Sequence, residues 1–71
     1  MWYNYSITDL ITFESEGVAV ELDEHEARAF AVRMADKLLS TVPDLKGQGM
    51  CVVVYNIDEQ PVSIVPLDPI Q

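Results

Sequence analysis

Cysteine, histidine and basic residues are all scarce in this chain. Cys51 is the only cysteine and His25 the only histidine among 71 residues. One cysteine excludes an intrachain disulfide framework, and a lone thiol suits a reducing compartment. A structural zinc site also lacks its preferred ligands, which are several Cys and His side chains. No uncharged run, the stretch 47–57 included, approaches the ~20 apolar residues of a membrane-spanning helix. No Lys or Arg precedes Arg28, so the basic segment that opens a secretory signal is missing. A cytoplasmic protein without membrane contact is the expectation. A mini-domain roughly cancels its burial energy against an ordering cost of ~1.5 kcal/mol per residue. With disulfides and zinc set aside, stability is expected from tight packing or a partner subunit.

The charge is one-sided. Twelve acidic residues face four basic ones, for a formal net charge of −8. Asp9, Glu14, Glu16, Glu21, Asp23, Glu24 and Glu26 all precede Arg28, and every Lys and Arg follows. Direct binding of DNA or RNA needs cations to neutralise phosphates, so no direct nucleic-acid contact is expected. An acidic surface attracts a basic protein instead, and the same charge also keeps a small protein soluble.

Tyr3, Tyr5 and Ile7 alternate with Asn4, Ser6 and Thr8, the period-2 pattern of a half-buried strand. A second strand is centred on Ile11–Phe13 or on Val18–Leu22, or both segments are used with Glu14 to Gly17 as the bend. Asp23 and Glu26 have capping-box spacing. Ala27, Phe30, Ala31, Met34, Ala35, Leu38 and Val42 then form an apolar stripe, with Glu26, Arg33, Asp36, Lys37 and Ser40 opposite. Glu24 and Arg28 stand at the i,i+4 spacing of a favourable ion pair. Pro43 ends the helix by restricting Val42, so the helix runs from about Glu24 to about Thr41. A loop with Gly47 and Gly49 leads to Met50–Tyr55, the strongest strand signal. Asp58-Glu59-Gln60 turns the chain into a fourth strand that begins at Pro61, where the missing N–H is tolerated. Leu67 to Gln71 are expected as an extended tail.

The order is β-β-α-β-β, an α+β single domain with an antiparallel sheet of three to four strands and one helix on one face. Met50, Val52 and Val54 point one way; Cys51, Val53 and Tyr55 point the other. One helix covers one face. The second is expected to remain an apolar patch unless another chain covers it, so the sheet face or edge is expected to form a homodimer or bind a partner protein.

No constellation for catalysis appears. Neighbours in a helix point in different directions, so Glu24 and Glu26 form no site with His25. Cys51 has no cation or helix N-terminus to lower its pKa and reads as a packed core thiol. Glu14-Ser15-Glu16-Gly17 lacks the ligand pattern of a calcium loop. Gly47-Gln48-Gly49 lacks the Lys and following helix of a phosphate loop. No catalytic residue, cofactor or metal is expected. The candidate partner-binding residues are Glu14, Glu16, Glu21, Glu24, Trp2, Tyr5 and Tyr55.

Tyr3-Asn4-Tyr5-Ser6-Ile7, Glu16-Gly17-Val18, Glu26-Ala27-Arg28-Ala29-Phe30-Ala31, Val52-Val53-Val54 and Asn56-Ile57-Asp58-Glu59 together span nearly the whole chain. This pattern resembles a family of short bacterial proteins classified only as a domain of unknown function. The resemblance implies the β-β-α-β-β fold and carries no activity. The chain departs from the family at Asp58-Glu59-Gln60, where Asp-Gly is usual, and in a longer stretch before Gly17. In size and acidity the chain is also similar to small phage inhibitors of bacterial defence systems, including anti-CRISPR proteins. Two functions follow as expectations: a non-enzymatic protein-interaction module, or an inhibitor that occupies a basic nucleic-acid-binding groove. A small enzyme or metal-binding protein is a third.

Overall fold

Alternating tyrosines put one half of the first strand into a core, and the rest of the sheet assembles around it. In a computed structural model, which describes residues 1–11 and 14–67, four strands form one antiparallel sheet: β1 (Trp2–Thr8), β2 (Val18–Glu21), β3 (Cys51–Tyr55) and β4 (Pro61–Pro66). The spatial order is β2-β1-β3-β4. β1 is therefore central, flanked by β2 and β3. One helix, α1 (Ala27–Thr41), links β2 to β3 across it. The second strand is Val18–Glu21. Of the alternative centre, Ile11 lies outside any strand, and residues 12 and 13 lie outside the described residues.

Register fixes the two faces. Tyr5 stands opposite Val18 and Val54, Tyr3 opposite Val20, and Ile7 opposite Val52. These side chains face the helix. Ala27, Ala31 and Ala35 are buried against them, while Phe30, Met34 and Leu38 are half-buried at the flanks. Small residues at i, i+4, i+8 form one stripe and let the helix backbone come close to the sheet. Tyr5 is 1% exposed, its hydroxyl donates to the Ala27 carbonyl at 2.8 Å, and its ring meets Phe30 at a 5.0 Å centroid distance. The buried phenol is thus satisfied.

The helix start differs from the expected capping box. Glu24–Glu26 form a 3-10 turn, Asp23 caps it through its backbone carbonyl rather than its side chain, and α1 begins at Ala27. Arg28 reaches across to Ser63 on β4, donating at 3.2 Å. The C-terminal end matches expectation: Val42 leaves helical geometry immediately before Pro43, which opens a second 3-10 turn. Val42 itself is 43% exposed and lies beyond the buried stripe.

At the other end of the chain, Leu67 is not part of an extended tail. It is 3% exposed and its amide donates to the Met50 carbonyl at 2.9 Å. Residues 68–71 of the expected tail lie outside the described residues.

Candidate functional site

The polar half of β1 faces away from the helix. On this open face Trp2 stands opposite Glu21; Asn4 lies between Ala19 and Tyr55; Ser6 neighbours Val53; and Thr8 lies between Cys51 and Glu14. The expected apolar patch is covered only in part: Trp2 and Ile64 on this face are 54% and 47% exposed, while its centre is buried. Cys51 is 5% and Val53 2% exposed within the single chain. β3 is an inner strand, so Ser6 and Ile64 flank Val53, and Thr8 and Pro66 flank Cys51. That burial confines the exposed apolar area of this face to Trp2 and Ile64.

The connection between β1 and β2 returns along β1. The Ser15 amide donates to the Ile7 carbonyl, and the Ser15 hydroxyl accepts from the Ile7 amide, both at 2.8 Å. This brings Glu14 to the open face, where its carboxylate accepts from the Tyr55 hydroxyl at 3.4 Å. Gly17 lies so close to Asn4 that a Cβ would strike the Asn4 side chain. A cleft of about 380 Å³ results, lined by Asn4, Ser6, Glu14, Gly17, Tyr55 and Glu59 among others.

Burial pushes the Tyr55 phenol above its ordinary value, and the Glu14 charge and hydrogen bond add to that effect. Tyr55 is therefore a neutral donor at physiological pH, an orienting group for Glu14 rather than a base. Cys51 is likewise raised, by burial first and then by the Asp9 carboxylate, and its thiol donates to the Thr8 carbonyl at 3.4 Å. A raised thiol pKa leaves little thiolate for nucleophilic chemistry.

The seven expected partner-binding residues separate into groups. Glu14 and Tyr55 meet in the cleft. Trp2, 54% exposed, and Glu21 are cross-strand neighbours on the same face. Glu16 is exposed beside Gly17 in the connection. Glu24 lies elsewhere, in a second cleft of about 330 Å³ with Tyr3, Ala27 and Arg28 on the helix side. Tyr5 must be withdrawn as a contact residue: its place in the period-2 pattern turns it into the core, where no partner reaches it. Asn4, Ser6, Gly17 and Glu59 were missed. For Asn4 and Ser6 the signal was the small polar run Asn4, Ser6 and Thr8 on one face of β1; Gly17 and Glu59, in the connections, carried no such signal.

His25 also differs from expectation. Ligand atoms of Asp23, His25 and Glu26 lie within 4.8 Å of one another, all three residues being exposed. The cause is the 3-10 turn, in which residues three apart eclipse and Glu26 swings over Asp23. Exposed carboxylates beside a histidine form no built site by themselves. No family model, curated protein or solved structure matches this chain.

Proposed function

We propose that this chain is a non-enzymatic protein-interaction module that presents the open face of its sheet to a basic protein. One observation carries the proposal: all four basic residues lie in the helix layer, among acidic ones, and none at the open face. Arg28, Arg33 and Lys37 belong to α1 and Lys46 follows the second 3-10 turn, whereas Glu14, Glu21 and Glu59 stand at the open face with no Lys or Arg. Such a face steers a positively charged partner and repels a negative one. Trp2 beside Glu21 adds a large exposed aromatic, the residue type enriched in interface hot spots. A second copy carries the same carboxylates, so like charge opposes pairing of two open faces.

The same observation supports a narrower form, an inhibitor of the phage or mobile-element kind that fills a nucleic-acid-binding groove. Purified basic DNA- and RNA-binding proteins, tested with this chain at rising salt, distinguish the forms. Capture is expected to weaken as salt rises, and to fall about tenfold in the Glu14→Gln/Glu21→Gln double variant. Glu24→Gln on the helix side should change it little. Displacement of captured nucleic acid marks the inhibitor; capture alongside it marks the general module. Equal loss from Glu24→Gln and from the double variant would defeat the assignment to the open face.

A further inference from the structure

The cleft on the open face has the size of a small-ligand site and is lined by hydrogen-bond acceptors. Its volume of about 380 Å³ falls in the ~300–1,000 Å³ range of small-ligand pockets. Two carboxylates, Glu14 and Glu59, line it together with the amide of Asn4, and no cationic side chain does. Ser6 lies beneath them, 4% exposed, and its hydroxyl forms no hydrogen bond among the described residues. No fully enclosed polar side-chain atom there lacks a partner. The Ser6 oxygen is therefore not sealed in protein; it opens into the cleft, where its lone pairs can accept a hydrogen bond from a ligand. Gly17 shapes the rim, since any Cβ at that position would displace the Asn4 amide.

We propose that this cleft binds the guanidinium of an arginine side chain offered by the partner, an inference that rests on the protein-binding role of the open face. The acceptors present are two carboxylates, an amide oxygen and a hydroxyl oxygen. A guanidinium is flat and carries five donors in a fixed fork, whereas an ammonium is a compact, strongly hydrated point charge with three. Several acceptors spread over one cleft therefore favour arginine over lysine. The Tyr55 hydroxyl, donating to Glu14 at 3.4 Å, orients that carboxylate, as bidentate recognition requires.

The test uses the full chain labelled with ¹⁵N and three probes: the N-acetyl amides of arginine, of lysine and of citrulline, the neutral isostere of arginine. Arginine is expected to shift the backbone signals of Asn4, Ser6, Glu14, Gly17 and Tyr55 together. Lysine and citrulline should bind about tenfold more weakly or worse. Glu14→Gln and Ser6→Val should each abolish the localised response while the remaining spectrum shows the native fold. Should Ser6→Val fail to fold, Glu59→Gln in the exposed hairpin turn serves in its place. Equal responses to arginine and lysine, or shifts scattered over all carboxylates, would overturn the arginine site. Salt-sensitive capture of a basic protein that persists without the arginine response would sink the pocket and leave the docking face. An arginine response without any capture would do the reverse.

Discussion

The two faces of β1 do opposite work although their residues alternate one by one. Toward the helix stand Tyr3 and Tyr5, with Val52, Val54 and Val65 beside them, and the Tyr5 hydroxyl is bonded to Ala27. Away from it stand Asn4, Ser6 and Thr8, with the Ser6 hydroxyl open to a cleft. The helix face spends its polar atoms on internal bonds and its area on burial. The open face keeps Ser6 buried without a protein partner for its hydroxyl. A period-2 strand separates these roles at no cost in chain length, which matters in a chain of 71 residues where there is little core to spare.

Substitutions at neighbouring positions of β1 break this contrast most directly. Tyr5→Ala removes a fully buried aromatic and its hydrogen bond, and should cost about 3–5 kcal/mol, enough to unfold much of the population of a small domain. Tyr5→Phe keeps the ring and leaves the Ala27 carbonyl without its side-chain donor, for a cost of about 1 kcal/mol. Ser6→Ala, one residue along, loses no internal bond and should stay within about 0.5 kcal/mol of the parent. Urea midpoints measure all three. Equal losses from Tyr5→Phe and Ser6→Ala would show that the two hydroxyls are not differently used.

Alkaline pH probes both faces together. Tyr5 on the helix face, and Tyr55 and Cys51 on the open face, all have pKa values raised in the folded chain, with burial the largest cause in each case. A raised folded value means that the folded state holds its proton where the unfolded state has released it. The stability these groups contribute is therefore fully present below the unfolded values, 9.0 for the thiol and 10.0 for the phenols, and is lost as pH climbs through the folded ones. Thermal midpoints are expected to hold level through neutral pH and fall above about pH 9, with Cys51 failing first. Tyr55→Phe should flatten the later part of that fall. A midpoint that falls equally steeply in Tyr55→Phe and parent would remove Tyr55 from the account.

Much of the fold was legible because it depends on local periodicity. The alternation of Tyr3, Tyr5 and Ile7 fixed β1, and the Ala27–Ala31–Ala35 stripe with Pro43 beyond it fixed the helix and its end. The site was less legible, because it depends on contacts between distant segments. Glu14 reaches Tyr55 across 41 positions of sequence, and Gly17 presses on Asn4 across a hairpin; neither spacing is periodic. Ser6 read as a solvent-facing strand residue, since period 2 distinguishes two faces without telling which polar side chain a returning loop will bury. The 3-10 start of the helix was hidden for a different reason: Asp23 and Glu26 have the same spacing in a capping box and in a 3-10 turn.

Glu59 supplies a small effect with opposite signs in two measurements. Asn56 to Gln60 close the β3–β4 hairpin: the Glu59 amide donates to the Asn56 carbonyl at 3.0 Å, and the Asn56 side chain accepts from the Asp58 and Gln60 amides at 2.9 and 3.0 Å. Glu59 then adopts φ 61°, the left-handed position usually given to glycine after a type I hairpin turn. A side chain there is strained by roughly 1–2 kcal/mol, part of which glycine's greater unfolded-state freedom offsets. Glu59→Gly should therefore raise stability by about 0.5–1 kcal/mol, read as a higher urea midpoint. Because Glu59 also lines the cleft, the same change should weaken the arginine response. Opposite signs in the two measurements are expected if a strained carboxylate is kept at this turn for the open face; a gain in stability with arginine binding intact would make the strain incidental.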